Sequence, residues 1–62
     1  MTNRATVVGV GLIGGSIGMA LREQGWHVSG VDPEENRLTA ALDLGAVDAT
    51  GWDPQAEISF IA

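Results

Sequence analysis

The feature that most constrains this chain is a glycine run that directly follows an apolar segment near the N-terminus. Residues 5–8 form a short, mostly apolar run that predicts a strand buried on both faces. They lead without a charged residue into Gly9-x-Gly11-x-x-Gly14, and the apolar spacing then becomes helical. A strand, a glycine turn and a helix in this order are the context in which such a pattern binds phosphate groups. The sequence therefore predicts a phosphate-binding turn, with a purely structural glycine-rich loop as the alternative.

Each glycine of the turn has a separate expected role. Gly9 permits the tight turn out of the strand, and Gly11 lets a pyrophosphate approach the backbone because it has no Cβ. Gly14 lets the helix lie close to the sheet. The backbone N–H groups of Leu12, Ile13 and Gly14 begin the helix without intrahelical partners, so we expect them to face the phosphates, aided by the helix dipole.

An acidic residue at the end of a second strand supports this interpretation. Asp32 lies 21 residues after Gly11 and directly follows the strand-like residues 27–31. An acid in this place binds the ribose 2′-hydroxyl of a dinucleotide. We predict NAD rather than NADP, since Glu34 and Glu35 follow closely and the carboxylates would repel a 2′-phosphate. Flavin is a minor alternative, because flavoproteins share the glycine pattern.

Three further polar residues allow a functional and a plain interpretation. Arg37 could stack on adenine or pair with Glu34 on a solvated helix face, and we favour the second interpretation. Ser16 could reach a phosphate or simply occupy the first helical turn. His27, the one histidine of the chain, is interpreted as a partly exposed residue at the start of a strand.

Composition and charge exclude several classes of function. The 62 residues contain no cysteine, one histidine and three arginines without lysine, and the net charge is −5. Disulfides, thiolate metal sites and a lysine Schiff base are excluded, and we expect no metal site. We also expect no nucleic-acid partner, because no basic stripe is present to neutralise phosphates. No apolar run approaches the ~20 residues of a membrane span, so we expect no membrane partner and a soluble, cytoplasmic protein.

The pattern of apolar residues predicts alternating strands and helices. Strands are expected over residues 4–10, 27–31, 47–50 and 58–62, with helices over residues 12–24 and from about Pro33 to Gly45. The apolar helix positions expected to face the sheet are Ile13, Ile17, Ala20 and Leu21 in the first helix and Leu38, Ala41 and Leu42 in the second. Residues 58–62 have the composition of a buried, central strand.

These elements predict an α/β fold, a Rossmann-type parallel sheet built as βαβαβ with strand order 3-2-1-4. The short segment 47–50 fills the third place, and residues 58–62 pair with the first strand on its other side. Because the chain ends in a strand without a following helix, we expect residues 1–62 to be the incomplete N-terminal part of an NAD-binding Rossmann domain.

Three segments of the sequence resemble the N-terminus of the prephenate/arogenate dehydrogenase family: residues 8–16, the Gly30 to Pro33 segment and residues 43–48. The most specific element is Leu12-Ile13-Gly14-Gly15 followed by Ser16. The resemblance extends over the whole chain except about residues 50–57.

The resemblance implies the NAD-binding portion of a prephenate dehydrogenase, which converts prephenate to 4-hydroxyphenylpyruvate in tyrosine biosynthesis. It implies cofactor contacts from Gly9, Gly11, Leu12, Ile13, Gly14, Asp32 and Ala62, the last being the small residue that ends the strand beside the cofactor. No catalytic residue is expected within residues 1–62, and a homodimer through a C-terminal domain is implied for the full-length parent. The alternatives are another 6-phosphogluconate-dehydrogenase-like oxidoreductase and a nucleotide-binding module without activity of its own.

Overall fold

The computed structural model describes residues 3–62, which fold into one parallel sheet with helices between the strands. The elements along the chain are β1 (Arg4–Val8), α1 (Leu12–Glu23), β2 (His27–Val31), α2 (Glu35–Leu44), β3 (Ala49–Thr50) and β4 (Ile58–Ile61). The strands are arranged in the order β3-β2-β1-β4, and each neighbouring pair is parallel. This arrangement confirms the predicted α/β fold and the strand order 3-2-1-4. Neither helix of residues 3–62 has the length and apolar character that crossing a membrane requires.

The register of the strands brings their carboxyl ends together. Val8 at the end of β1 lies opposite Val31 of β2 on one side and Ile61 of β4 on the other. From β1 the chain continues to β2 on one side, whereas β4 lies on the other side of β1. The strand order therefore reverses direction next to β1. In parallel α/β sheets, such a point opens a crevice outside the carboxyl ends of the strands, where ligands bind.

Both helices pack on the same face of the sheet. Val7 and Gly30 are partners in register and therefore share a face. A Cβ added to Gly14 of α1 would lie 3.2 Å from Val7 Cγ1, and a Cβ added to Gly30 would lie 3.6 Å from Leu38 Cδ2 of α2. Missing side chains at these glycines thus allow close helix–sheet packing. The buried apolar core consists of Val7, Val10, Val28, Ala41, Ala46 and Val47.

Asp32 is involved in two wrong element boundaries; in addition, the third strand covers only Ala49–Thr50 rather than residues 47–50. The first strand ends at Val8 rather than at residue 10, since the N–H of Val10 donates to the Asp32 carboxylate instead of to a neighbouring strand. The second helix begins at Glu35, so Pro33 lies outside it. The Asp32 carboxylate accepts the N–H of Glu34 at 2.8 Å, which closes a turn two residues long and delays the helix.

Several apolar side chains are more exposed than the sequence predicted. Ile17, Leu21 and Leu38 pack against the core as expected. The other expected core positions are exposed at Ile13, Ala20 and Leu42, whereas Ala41 is buried. The composition of β4 predicted a buried strand, but Ile58 and Ile61 are exposed and Phe60 is half-buried. Among residues 3–62, β4 pairs only with β1, as the predicted strand order requires.

The connection from β3 to β4 is fixed to the start of β1 by an ion pair between residues 49 positions apart in sequence. Arg4 Nε donates to Asp53 Oδ2 at 2.7 Å, and the N–H of Glu57 donates to the Arg4 carbonyl at 3.0 Å. The hydrogen bond from Arg4, followed by one from the Gln55 N–H, lowers the pKa of Asp53 below its usual value, with burial acting in the opposite direction. This ion pair anchors the irregular segment that leads into β4.

Candidate functional site

A pocket of about 360 Å³ opens where the carboxyl ends of β1 and β4 meet the start of α1. All the site residues predicted from the sequence line it, and Arg37 completes the wall: the full lining is Gly9, Gly11, Leu12, Ile13, Gly14, Asp32, Arg37 and Ala62. The fold therefore brings together residues from the glycine turn, the end of β2, the first half of α2 and the end of β4.

The backbone geometry of Gly9 explains the first glycine of the turn. Gly9 has φ +88°, a left-handed conformation that favours glycine, and its N–H donates to the Val31 carbonyl at 2.7 Å. A Cβ at Gly9 would lie 3.0 Å from the Ala62 carbonyl oxygen. The turn thus lies in close contact with the end of β2 on one side and with Ala62, which follows β4, on the other. Ala62 donates its N–H to the Val8 carbonyl.

The other two glycines of the turn serve different purposes. A Cβ at Gly14 would overlap the Gly9 carbonyl, so Gly14 is needed for internal packing. A Cβ at Gly11 would meet no protein atom within 4 Å. Nothing inside the protein therefore requires a glycine at Gly11, whose open side borders the pocket. This is the geometry expected where a ligand approaches the backbone closely, and it fits a pyrophosphate.

The start of α1 supplies unpaired donors to the same pocket. Gly11 is the N-cap residue, it provides no side-chain cap, and the first turn of α1 contains no acidic residue. The first N–H groups of a helix have no intrahelical acceptor, and here they belong to pocket residues Leu12, Ile13 and Gly14. Ser16 donates its hydroxyl to the Leu12 carbonyl at 3.0 Å, which favours the plain interpretation of this serine.

Asp32 forms part of the pocket wall, but its carboxylate is already engaged. The side chain is 1% exposed, and Oδ2 accepts the Val10 N–H at 3.0 Å while Oδ1 accepts the Glu34 N–H at 2.8 Å. Each carboxylate oxygen retains a second lone pair that a hydroxyl group could use. Sequence reasoning placed Asp32 at the pocket but missed both backbone bonds. The bond to Glu34 could have been predicted, because an aspartate often accepts the N–H of the residue two positions later in a turn.

Arg37 is the additional residue that the structure brings to the pocket. Its Nη1 lies 3.9 Å from Asp32 Oδ2, and its side chain is 60% exposed. The favoured interpretation, a pair with Glu34, is therefore wrong, because the helix turns this arginine toward the end of β2. The positive charge lies beside the buried carboxylate and offsets part of its negative charge.

The one histidine of the chain does not line the pocket. His27 is half-buried at the start of β2, the end of the strand opposite the pocket, with Nδ1 4.0 Å from Asp48 Oδ2. Within residues 3–62 no three His, Cys, Asp or Glu side chains are grouped closely enough to hold a metal ion. The pocket can bind and orient an anionic ligand through backbone amides, with Asp32 and Arg37 as its charged side chains.

A comparison with solved structures identifies a similar protein. The crystal structure of arogenate dehydrogenase from Synechocystis matches the chain with a TM-score of 0.85 and 34% sequence identity. The match covers 94% of this chain and 22% of that chain, so residues 1–62 span under a quarter of the neighbour's length. No protein-family model matches the chain, and no curated protein sequence matches it. The structural match confirms the resemblance of this chain to the N-terminal part of the prephenate/arogenate dehydrogenase family.

Proposed function

We propose that residues 1–62 are the N-terminal part of an NAD-binding Rossmann domain that belongs to an oxidoreductase. The observation that carries the proposal is that one pocket is lined by Gly9, Gly11, Leu12, Ile13, Gly14, Asp32 and Ala62 together. NAD would supply the hydride acceptor when bound, and the residues of this chain would bind and orient it. The dehydrogenase neighbour supports this assignment, because its match covers nearly the whole chain.

Within this proposal, the glycine turn holds the pyrophosphate and Asp32 holds the adenosine ribose. The pyrophosphate lies against Gly11 and the free N–H groups at the start of α1, where the helix dipole favours negative charge. A lone pair of the Asp32 carboxylate accepts a ribose hydroxyl. These contacts need no lysine or arginine, which agrees with the acidic composition of the chain.

The charges at the pocket support NAD over NADP. Glu34 caps α2 and Glu35 begins it, so both carboxylates lie close to Asp32 in the chain. Arg37, the cation in the pocket wall, already faces the Asp32 carboxylate. A 2′-phosphate would therefore meet the Asp32 carboxylate, with Glu34 and Glu35 nearby in the chain, whereas a free 2′-hydroxyl would donate to Asp32.

The full-length parent is proposed to be a prephenate dehydrogenase, with oxidative decarboxylation of prephenate to 4-hydroxyphenylpyruvate as its reaction. This identification rests on the resemblance in residues 8–16 and 43–48. The neighbour is named for arogenate, which makes arogenate the second candidate substrate. The proposal includes catalytic and substrate-binding groups outside residues 1–62, a homodimer formed through a C-terminal domain, and a cytoplasmic location.

The cofactor assignment is tested by titrating the 62-residue chain with NAD and NADP and following backbone amide resonances. We expect NAD to bind more tightly and to shift the amides of Leu12, Ile13 and Gly14. Gly11→Ala should weaken NAD binding by about tenfold or more, which corresponds to ~1.4 kcal/mol, because its Cβ enters the pocket. Gly15→Ala is the matched control, since a Cβ there also meets no protein atom within 4 Å but Gly15 does not line this pocket.

The outcomes of this titration separate the alternatives. Equal effects of Gly11→Ala and Gly15→Ala would contradict the assigned pyrophosphate position. Binding of flavin dinucleotide in preference to NAD would favour the flavoprotein alternative. For the full-length parent, kcat/KM measured with prephenate and with arogenate in the presence of NAD decides the substrate.

A further inference from the structure

We propose that Asp32 is a positioning residue that holds the glycine turn in its binding shape before a ligand arrives. This inference rests on the proposed function and adds a second role to the residue expected to bind the ribose. The turn is tied to the end of β2 by two hydrogen bonds: Gly9 donates to the Val31 carbonyl, and Val10 donates to Asp32 Oδ2. The second bond is the one that depends on a side chain.

The amide of Val10 needs this partner because it lies inside the protein beyond the end of the strand. Val10 is 6% exposed and belongs to the core, while β1 ends at Val8. A buried N–H without an acceptor is strongly unfavourable. The Val10 side chain also packs over Gly30, with Cγ1 only 2.9 Å from where a Cβ at that glycine would lie. The Asp32 carboxylate thus fixes the residue that immediately precedes Gly11.

The same carboxylate connects the turn to the start of α2. Asp32 Oδ1 accepts the N–H of Glu34, the residue that caps α2, while Arg37 of α2 lies 3.9 Å from Oδ2. The glycine turn, the end of β2 and the start of α2 are therefore held by one buried side chain. Loss of the carboxylate should displace the pyrophosphate-binding amides as well as remove a ribose contact.

A dinucleotide that lacks the ribose hydroxyl separates the two roles. The variants are Asp32→Asn, which keeps the size of the side chain but replaces one acceptor by an NH₂ donor, and Asp48→Asn as the matched control. Asp48 makes an analogous bond at the opposite end of β2, where Oδ2 accepts the Val28 N–H at 2.8 Å. The measurements are amide hydrogen exchange of the ligand-free 62-residue chain and its affinity for NAD and for NAD built on 2′-deoxyadenosine.

We expect Asp32→Asn to speed exchange of the Val10 amide by about tenfold or more, equivalent to ~1.4 kcal/mol. Affinity for NAD and for the 2′-deoxy analogue should both fall by about tenfold or more. Asp48→Asn should speed exchange at Val28 but leave the affinity of the folded chain for both ligands within about twofold. A general loss of stability would not produce this difference between the variants.

The proposal is overturned if Asp32→Asn weakens NAD binding while the Val10 amide stays protected and the 2′-deoxy analogue binds as before. Asp32 would then be a ribose ligand only. If Asp32→Asn does not fold, the proposal is tested on the wild-type chain by NMR. A scalar coupling across the hydrogen bond between Val10 N and Asp32 Cγ supports the proposal, and its absence overturns it. If the wild type binds neither dinucleotide, the proposed function fails, while the exchange of Val10 still decides whether Asp32 holds the turn.

Discussion

Replacing Gly18 by alanine should destabilise the fold even though alanine is the better helix former. Gly18 is a buried residue in the middle of α1. A Cβ at this position would overlap the Ala46 carbonyl oxygen and would lie 3.2 Å from the carbonyl carbon and 3.7 Å from Val28 Cγ1. The Ala46 backbone cannot move away easily, because its N–H donates to the Ala41 carbonyl at the end of α2. Helix α1 would therefore have to shift away from the sheet.

The magnitude follows from a comparison with Gly15→Ala in the same helix. A Cβ at Gly15 meets no protein atom within 4 Å, so this variant should gain the helix-propensity difference of ~0.5–1 kcal/mol. Gly18→Ala has the same propensity gain but also an overpacking cost of ~1–3 kcal/mol, near the upper end because the blocking atom belongs to the backbone. The free energies of unfolding of the two variants should therefore differ by ~2–3 kcal/mol. A chain of this size has a total of only ~3–9 kcal/mol, so the difference is large.

Urea unfolding followed by tryptophan fluorescence measures this difference. Trp26 packs against the core, whereas Trp52 is exposed, so Trp52→Phe in every protein restricts the signal to the buried probe. The urea concentration at the unfolding midpoint should be highest for Gly15→Ala, intermediate for the wild type and lowest for Gly18→Ala, with similar slopes of the unfolding free energy. A midpoint of Gly18→Ala equal to or above that of Gly15→Ala would refute the packing argument.

Three further predictions concern pH, cofactor choice and activity. The pKa of Asp53 is lowered by Arg4, so its contribution to stability is complete above the ordinary pKa of 3.8 and is lost as pH falls through the lower folded-state value. In acid unfolding curves, Asp53→Asn should therefore lose less stability below pH 3.8 than the wild type. Parallel curves for the two proteins would contradict this. In the full-length parent, Asp32→Ser should lower the preference for NAD over NADP by ~1–3 kcal/mol, measured as the ratio of kcat/KM values, and an unchanged ratio would count against the ribose contact. The 62-residue chain should not convert prephenate with NAD, because the pocket wall carries no general base apart from the buried Asp32; measurable turnover would show that the chemistry lies within this chain.

All the pocket residues except Arg37 could be predicted, because most of them are contiguous in sequence. Residues 9–14 form the turn and the first helical turn, so their mutual geometry depends on local backbone preferences. The strand order followed from the rules for parallel sheets together with the position of the apolar segments. Asp32 was placed correctly because it directly follows β2, whose end aligns with the end of β1.

The side-chain partners could not be predicted in the same way. Arg4 and Asp53 are 49 residues apart, and many alternative partners for Arg4 are compatible with the sequence. Arg37 was expected to pair with Glu34, which is three residues away on the same chain segment. That expectation assumed a helix already formed at Pro33, whereas the Asp32 turn postpones the helix and leaves Glu34 at its cap.

The sequence by itself determined the glycine turn, the alternation of strands and helices, and the topology of the sheet. The first two depend on steric limits of the backbone and on apolar periodicity, which act over a few neighbouring residues. The topology follows from the connection rules of parallel sheets. Only the tertiary structure decided that the side chains of Ile58 and Ile61 in β4 are exposed and that the Asp32 carboxylate accepts the amides of Val10 and Glu34. The bond to Val10 joins residues 22 positions apart, and it exists only because the ends of two parallel strands lie side by side.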